Sequence, residues 1–492
     1  MRNFKPVFVG SAISISILLI IYAVLVFPLP GTDSFVFMPP ALSFAKNQGL
    51  TNHLYYVAEF TDPTHSNRFN YYVPFFPMAL GWLSRIKPDI RTIFLICSLF
   101  SVAGITLFTA TIKRHLTDKI TPQIKLGLIL TFTFLSIYLL PTVGRPENFS
   151  GIFIFLIFLL YRHRSQIKPA LYYPVIITLF SVLFSTQVIG LFFSFLIYAL
   201  FEVLNSRNVL LKCVELVAVF AAVVGGFCLI LALSPHGLSE TVNAIGWHIA
   251  LALNRSDSTF RMLVYYWTYA PLSFGFVFIF ICCLVFFLAD IRSKWASAPK
   301  FTIFVSLVPL CILLIGLYKY ALNAAPTVYN VTQFIFPMMT YLWLQILSPV
   351  KSRFTKLTFP VVLVTVVAGL FMFLRTFVLF ADTMISGKDF ATARALAESY
   401  TRNNKKVITS NGIWPIFSDI KKPYVIITDQ FDKGDTIIMQ EAYFSLPLQF
   451  SEKCDVIYDW RRHKPTNIFG IKLSNNPNGY GFVILKARES NK

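Results

Sequence analysis

The chain has 492 residues, of which 56% are hydrophobic and only 13% are charged, and its formal net charge is +20 at pH 7. This composition excludes an ordinary soluble protein, in which about a quarter of the residues are charged. The positive charge does not indicate nucleic acid as a partner, because many of the basic residues lie at the N-terminus and in alternate short loops between apolar runs.

Apolar runs dominate the first 380 residues. A run of about 20 apolar residues can cross a bilayer as a helix. The sequence therefore predicts an α-helical polytopic membrane protein with about eleven spans. The predicted spans are 7–27, 91–111, 125–141, 148–161, 170–186, 188–203, 210–233, 271–289, 301–318, 331–348 and 357–380. Phe27-Pro-Leu-Pro30 follows the first run in place of a small-residue cleavage site, which predicts an uncleaved signal anchor.

The distribution of basic residues predicts the topology. Short loops rich in Lys and Arg stay on the cytoplasmic side of a membrane, and loops of this kind contain Lys113, Arg162, Arg292 and Lys351. An odd number of spans then gives a cytoplasmic N-terminus and a C-terminal region outside. We expect a multi-pass protein of the bacterial inner (plasma) membrane, surrounded by membrane lipids.

The predicted domains are a membrane domain at 1–384 and a small outer α/β domain at 385–492. The membrane domain has a long first outer loop, 28–90, in which Pro39 to Gly49 predicts a short amphipathic helix lying in the membrane interface. The outer domain contains one predicted helix, at 391–402. Its predicted strands are 407–409, 424–428, 436–439, 455–458 and 481–485.

Two acidic residues are distinctive on the predicted outer side. Asp33 follows the first span, and Glu147 ends the very short second outer loop, Gly144-Arg-Pro-Glu147. Ionised carboxylates at the edge of a bilayer core are costly, so their default interpretation is functional. A carboxylate can act as a general base toward a hydroxyl or amine, and an arginine can hold a leaving phosphate. The two carboxylates and Arg145 therefore favour transfer of a group to a hydroxyl or amine. The sequence contains neither a Gly-rich phosphate loop, which would indicate a soluble nucleotide donor, nor a nucleophile-elbow serine.

The order of these motifs resembles the membrane glycosyltransferases of the C-type (GT-C) fold, such as the protein O-mannosyltransferases and the lipid A aminoarabinose transferases. The resemblance lies in Asp33 after the first span, a small helix ending at Gly49, Tyr72-Val-Pro74 before the second span, and Arg145-Pro-Glu147. It covers about residues 1–350.

A further segment is similar to the Arg-Tyr-x-x-Pro element of that family. It is Asn330-Val-Thr-Gln-Phe-Ile-Phe-Pro337, in which Gln333 stands where the family has arginine. A second departure is that Ser34 follows Asp33, where the family often has a second acidic residue.

The resemblance implies an enzyme that transfers a sugar from a polyprenyl-phosphate donor to a glycolipid, polysaccharide or protein acceptor, with inversion. Asp33 would be the general base. Glu147 would bind a divalent cation such as Mg²⁺ or Mn²⁺, or orient the donor. Arg145 and Lys319 would neutralise the departing phosphate. Further candidates for substrate binding are His53, Tyr72, His248, Arg255, Arg261, Tyr329 and Gln333.

Structural interpretations of the same residues stay open. Asp33 could cap the interfacial helix, Glu147 could pair with Arg145 at the start of the fourth span, and Lys319 could anchor a span end. Two other functions are also open, a transporter or flippase of a lipid-linked glycan and a polysaccharide polymerase or ligase. A transporter should show internal repeats and charges inside its spans, whereas a polymerase or ligase should have its main active loop late in the chain.

Overall fold

The structure is a computed structural model, and the account below concerns the residues that it describes. These are 4–21, 23–24, 34–51, 73–117, 120–139, 144–186, 188–204, 206–243, 246, 283, 333–347, single positions between 363 and 385, 387–402, 407–409, 413–417, 424–426, 431–440, 448–460, 467–468, 471–472 and 480–490. This part of the chain is mostly helical and has a small sheet near its C-terminal end.

Apolar helices make up most of the N-terminal part. Their bounds are α1 Phe4–Ile21, α2 Ser34–Ala45, α3 Phe75–Leu83, α4 Ile90–Lys113, α5 Pro122–Leu139, α6 Pro146–Arg162, α7 Pro169–Phe184, α8 Val188–Leu204, α9 Val209–Ala232 and α10 Ile335–Leu347. Within the described residues, α1, α4 and α9 are long and apolar enough to cross a membrane. The chain is therefore compatible with a membrane protein, as predicted.

Side-chain caps determine where two of these helices begin. The Oδ1 atom of Asp89 accepts the backbone N–H of Thr92 at 2.6 Å, and the Oδ1 atom of Asn208 accepts that of Leu211 at 3.2 Å. Each cap satisfies one of the four N–H groups that a helix leaves unpaired at its start. The starts of α4 and α9 are thus close to those of the predicted spans 91–111 and 210–233.

The main apolar core is shared by α1 and by the helices from α4 to α10. Large buried rings fill it, among them Phe108, Phe155 and Phe336. A Cβ atom added at Gly104 of α4 would lie 2.2 Å from the Phe336 ring, so this glycine makes room for α10. The Trp343 indole N–H also donates to the Thr131 hydroxyl of α5 at 2.9 Å. Helix α10 is therefore enclosed by helices that precede it by some 200 residues in the chain.

Helix α9 packs closely on α7 and exposes much of its remaining surface. The Ser181 hydroxyl of α7 donates to the Val223 carbonyl at 3.1 Å, and a Cβ atom at Gly226 would lie 2.4 Å from that hydroxyl. Small residues that let helix backbones approach are typical of helix contacts in membranes. The exposed side chains of α9 are apolar, including Leu210 and Leu229, as expected for a surface in contact with lipid.

The predicted interfacial helix differs from the observed one in its start and in its burial. We predicted it at 39–49 with Pro near its start, but α2 begins at Ser34 and contains Pro39 and Pro40 in its interior. Its side chains from Val36 to Ser43 are all buried, so it is not amphipathic. Prolines inside a helix cost about 3 kcal/mol each, and we attribute their tolerance here to tight packing. A Cβ atom at Gly81 of α3 would lie 2.5 Å from the Ala41 carbonyl oxygen.

The C-terminal region is a small α/β unit. It contains α11 Phe390–Thr401, β1 Val407–Thr409, β2 Tyr424–Ile426, β3 Thr436–Gln440, α12 Leu448–Lys453, β4 Cys454–Asp459, β5 Asn467–Ile468, β6 Ile471–Lys472 and β7 Phe482–Ala487. Five strands form one sheet in the order β2-β1-β3-β7-β4, with β1 parallel to both β2 and β3 and with β7 antiparallel to β3 and β4. The five predicted strands and the predicted helix are observed, whereas α12 and the β5–β6 pair were not predicted.

The α/β unit packs against one end of the helical part. Phe390, Trp414 and Tyr480 belong to the same apolar core as Phe37 of α2 and Phe149 of α6. The guanidinium carbon of Arg91, at the start of α4, lies 5.0 Å from the centre of the Phe390 ring. The two regions therefore share a core.

Candidate functional site

The Gly144-Arg-Pro-Glu147 segment forms the start of α6. Gly144 has a φ of +86°, a left-handed conformation that glycine adopts without strain. Arg145 is extended (φ −111°, ψ 155°), as expected for a residue that precedes proline, and it is the N-cap of α6. Pro146 occupies the first helical position, where its missing N–H is not needed. Glu147 then lies in the first turn, where the helix dipole favours a negative charge.

Arg145 and Glu147 form a two-pronged ion pair. The Arg145 Nε atom donates to Glu147 Oε2 at 3.0 Å, and Arg145 Nη2 donates to Glu147 Oε1 at 2.8 Å. The side chain of Glu147 is 2% exposed and that of Arg145 is 12% exposed. Paired donors of this kind fix the plane of the guanidinium as well as its position. Of the two side chains, that of Arg145 has the greater access to a bound molecule.

Aromatic rings surround this helix start. The Phe149 ring lies 6.1 Å from that of Phe75, 5.7 Å from Phe76, 4.8 Å from Phe100 and 4.8 Å from Phe153, measured between ring centres. These rings belong to α3, α4 and α6. They hold the first turn of α6 against α3 and α4.

Buried polar side chains lie within one turn of Glu147. The Asn148 amide donates to the Ser101 hydroxyl of α4 at 3.2 Å, and the hydroxyls of Ser150 and Thr186 are 3.0 Å apart. The backbone N–H of Phe75 donates to the Ser185 carbonyl at 3.3 Å. We did not predict these contacts. Their only signal in the sequence is that small polar residues interrupt apolar spans, where they often pair between helices.

Gln333 lies against the same face of α6 as Glu147. Gln333 is 2% exposed, and its backbone carbonyl oxygen lies 3.0 Å from the position that a Cβ atom would take at Gly151. Glu147 and Gly151 are four residues apart and therefore share one face of the helix. The structure thus pairs Arg145 with Glu147 and places the backbone of Gln333 about one helical turn from Glu147, although Gln333 is far away in the sequence.

The other predicted site residues lie outside the described residues. They are Asp33, His53, Tyr72, His248, Arg255, Arg261, Lys319 and Tyr329. In the sequence, Asp33 directly precedes Ser34, the first residue of α2. Helix α2 packs on α3 and α4 beside the Phe149 rings, so its place relative to α6 is fixed by a buried core.

A divalent cation at Glu147 has little support from the described residues. Both carboxylate oxygens already accept hydrogen bonds from Arg145, whose positive charge would also repel a cation. Across the described ranges, no three His, Cys, Asp or Glu side chains come together as a metal site. The described residues around Glu147 therefore do not form a set of cation ligands.

The helical part has two chemically different ends. Helices α4 and α6 run parallel, because Asn148 contacts Ser101 near the start of α6 and Arg162 contacts His115 at its end. The end with Glu147 also contains α2, α3 and the α/β unit. The opposite end contains Arg114, His115 and Arg162, and Lys125 there lies 5.7 Å from the ring of Phe4, near the N-terminus.

Comparison of the chain with known protein families finds no matching family model, and no curated protein matches its sequence.

Proposed function

We propose that the chain is an integral membrane glycosyltransferase that moves a sugar from a polyprenyl-phosphate carrier to a glycolipid, polysaccharide or protein acceptor. The observation that carries this proposal is the buried Arg145–Glu147 pair at the start of α6, with Gln333 on the same helix face. An arginine held rigidly by a carboxylate suits a phosphate, which accepts paired hydrogen bonds from a guanidinium.

We also propose about eleven spans, a cytoplasmic N-terminus and an outer domain at 385–492, in a bacterial inner membrane. The directions of the described helices support this topology. Successive helices from α4 to α9 alternate in direction, so that His236, which follows α9, contacts the Leu50 carbonyl beside α2 at 3.1 Å. Helix α10 runs parallel to α6, because Gln333 lies by Gly151 and, further along both helices, the Phe336 ring stacks on that of Phe155. Two further spans between α9 and α10 would produce this direction.

In the proposed reaction, Asp33 removes a proton from the acceptor hydroxyl or amine. The acceptor oxygen or nitrogen then attacks the anomeric carbon of the sugar from the face opposite the phosphate. The bond between that carbon and the phosphate oxygen breaks, and its electron pair leaves with the polyprenyl phosphate. This displacement inverts the anomeric carbon, and the proton on Asp33 passes to solvent.

Arg145 would stabilise the negative charge that grows on the leaving phosphate. Charge-assisted hydrogen bonds in a site that excludes water act strongly on such charge, and they need no rearrangement when the donor is already in place. Glu147 would be a positioning residue that keeps the Arg145 guanidinium fixed. Lys319, His53, Tyr72, His248, Arg255, Arg261 and Tyr329 stay candidates for contacts with donor or acceptor. A requirement for Mg²⁺ or Mn²⁺ stays a prediction. Full activity in the presence of excess chelator would refute it.

The test is sugar transfer by the purified full-length protein from radiolabelled polyprenyl-phosphate sugars to crude envelope acceptors. Wild type is compared with Asp33→Asn and with Asp89→Asn, which removes a charge from the same predicted outer loop but retains a residue that can cap α4. We expect Asp33→Asn to abolish transfer and Asp89→Asn to retain it. Substantial transfer by Asp33→Asn would exclude Asp33 as the base. Binding of a lipid-linked glycan without transfer from any donor would instead favour the transporter.

A further inference from the structure

A cluster of cationic side chains lies at the end of the helical part opposite the Arg145–Glu147 pair. Helix α4 ends at Lys113, with Arg114 as its C-cap, and α6 ends at Arg162, with His163 as its C-cap. Positive charges are favourable at helix C-termini, because the carbonyl ends of the helix carry partial negative charge. Here two such ends meet. We call Arg114, His115, Arg162 and His163 the cationic cluster.

Two members of the cationic cluster are in direct contact. Arg162 Nη2 lies 3.1 Å from His115 Nε2. Because a guanidinium can only donate, His115 must accept at Nε2 and therefore be neutral, with its proton on Nδ1. Partial burial lowers the pKa of His115, and the charges of Arg162, His163 and Arg114 lower it further. Burial and the neighbouring guanidinium groups of Arg162 and Arg114 thus act on this ring in the same direction.

The described carboxylates at this end belong to a neighbouring network. Glu202 of α8 accepts from Arg164 and, at 2.9 Å, from Lys212 Nζ. Glu215 of α9 accepts from the same Lys212 ammonium at 2.8 Å and from the Tyr173 hydroxyl. That network has two carboxylates and two cations, so it is neutral as a whole. Its two carboxylates are therefore already engaged by Arg164 and Lys212.

The height of the cationic cluster fits the headgroup region of a bilayer. From Pro146 to Arg162, α6 rises about 24 Å at about 1.5 Å per residue. The hydrocarbon core of a bilayer is about 30 Å thick. If the Arg145–Glu147 pair lies near one membrane surface, the cationic cluster lies near the other, where lipid phosphates are found.

We propose that the cationic cluster binds the phosphate of an anionic phospholipid headgroup in the leaflet opposite the candidate active site. A phosphate has several acceptor oxygens and can take hydrogen bonds from the ends of α4 and α6 together. Its negative charge would offset the repulsion between the Arg114 and Arg162 guanidinium groups. Binding there would join the C-terminal ends of the two helices that also meet at Asn148 and Ser101. This site is distinct from the proposed active site and does not depend on glycosyl transfer.

The test is native mass spectrometry of the full-length protein in detergent, titrated with phosphatidylglycerol and, separately, with zwitterionic phosphatidylcholine. Each basic residue near an anionic lipid surface changes affinity roughly fivefold. We expect Arg162→Gln and the exposed Arg114→Gln each to weaken phosphatidylglycerol binding by about that factor. Arg162→Lys should retain most of the binding. The matched control is Arg207→Gln, which removes an exposed charge at the same end but outside the cationic cluster.

The outcomes separate a site from a diffuse surface effect. Loss with both cluster variants, together with binding by Arg207→Gln within twofold of wild type, would support the proposal. Equal losses of phosphatidylglycerol binding in all three variants would overturn it, because the lipid would then be bound by the general positive charge of the surface. Equal binding of phosphatidylcholine and phosphatidylglycerol would also overturn it. Millimolar inorganic phosphate could also displace the bound lipid while phosphatidylglycerol binds no better than phosphatidylcholine. That result would assign the site to free phosphate and refute lipid binding. Since Arg114 is exposed, its variant stays informative even if Arg162→Gln fails to fold.

Discussion

At the scale of single residues, the Arg145–Glu147 pair links the local sequence to the proposed chemistry. Gly144 lets the chain turn, Arg145 is held extended before Pro146, and Glu147 lies in the first turn of α6. The two side chains therefore meet without help from distant parts of the chain. Burial makes each dependent on the other, because an isolated charge there would lose its water without gaining a partner.

We predict that Glu147→Gln lowers both stability and donor use. The amide has one acceptor oxygen, and its NH₂ group would face the Arg145 donors. The free energy of unfolding should fall by about 1–3 kcal/mol, less than for a fully buried pair because Arg145 keeps some exposure. Thermal unfolding of the purified protein measures this change. The control, Glu398→Gln, breaks the exposed Arg394–Glu398 pair of α11 and should change stability by less than about 0.5 kcal/mol.

Equal effects of Glu147→Gln and Glu398→Gln would contradict the importance that we assign to the buried pair. A normal Michaelis constant for the donor in a folded Glu147→Gln protein would contradict the positioning role.

Only part of this site could be predicted from the sequence. The pairing of Arg145 with Glu147 was one of the interpretations that their spacing allowed, because both partners lie within one short loop. The contact of Asn148 with Ser101 and the approach of Gln333 to Gly151 could not be predicted. They depend on which faces of separate helices meet, and an apolar span without a strong periodic pattern does not specify its inward face.

At the scale of elements, the apolar runs and capping residues of the sequence predict where a helix lies in the chain. They do not predict how deeply that helix is buried. Helix α4 was predicted at 91–111 and spans Ile90–Lys113, because an apolar run follows the Asp89 cap. The α2 prediction was wrong in its start and burial. Pro39 suggested a helix start, but proline within a helix can be offset by packing, and α2 is enclosed by α3 and α4.

We predict that Gly81→Ala destabilises the crossing of α2 and α3. The new Cβ atom would lie 2.5 Å from the Ala41 carbonyl oxygen, which is backbone and cannot rotate away. The helices would have to separate, and overpacking of this kind costs about 1–3 kcal/mol. Because Asp33 directly precedes α2, sugar transfer should fall as well. Thermal unfolding and the transfer assay measure the two effects.

The control for this change is Gly225→Ala in α9, where nothing lies within 4 Å of the added Cβ atom. It should leave stability unchanged or raise it slightly, since alanine favours a helix. A Gly81→Ala protein as stable and active as Gly225→Ala would show that the α2–α3 crossing is not tight.

At the scale of the whole molecule, the two ends of the helical part differ in a way that fits a membrane with two unlike sides. One end contains the start of α1 and the cationic cluster. The other contains the Arg145–Glu147 pair and the α/β unit, which share an apolar core through Phe149 and Phe390. The positions of the described apolar helices and of the five main-sheet strands along the chain could be predicted from their patterns. The docking of the α/β unit could not, because it joins surfaces far apart in the chain.

We predict that residues at the two ends react with a membrane-impermeant maleimide from opposite sides. In intact bacterial spheroplasts, Lys433→Cys in the α/β unit should be labelled, whereas Lys168→Cys before α7 should be labelled only after permeabilisation. Both positions are exposed. The unmodified protein controls for its native cysteines. Labelling of Lys168→Cys but not Lys433→Cys in intact spheroplasts would reverse the proposed topology, and labelling of both would contradict separation by a membrane.

The most direct test of the central claim is the stoichiometry of the reaction catalysed by the purified protein. Radiolabelled polyprenyl-phosphate sugar is incubated with acceptor, and both products are counted for wild type, Asp33→Asn and Arg145→Lys. We predict one polyprenyl phosphate released for each sugar transferred by wild type. Asp33→Asn should form neither product, and Arg145→Lys should form both at least tenfold more slowly, because lysine cannot reproduce the paired hydrogen bonds. Equal turnover by all three proteins, or no turnover of any donor by wild type, would contradict the account.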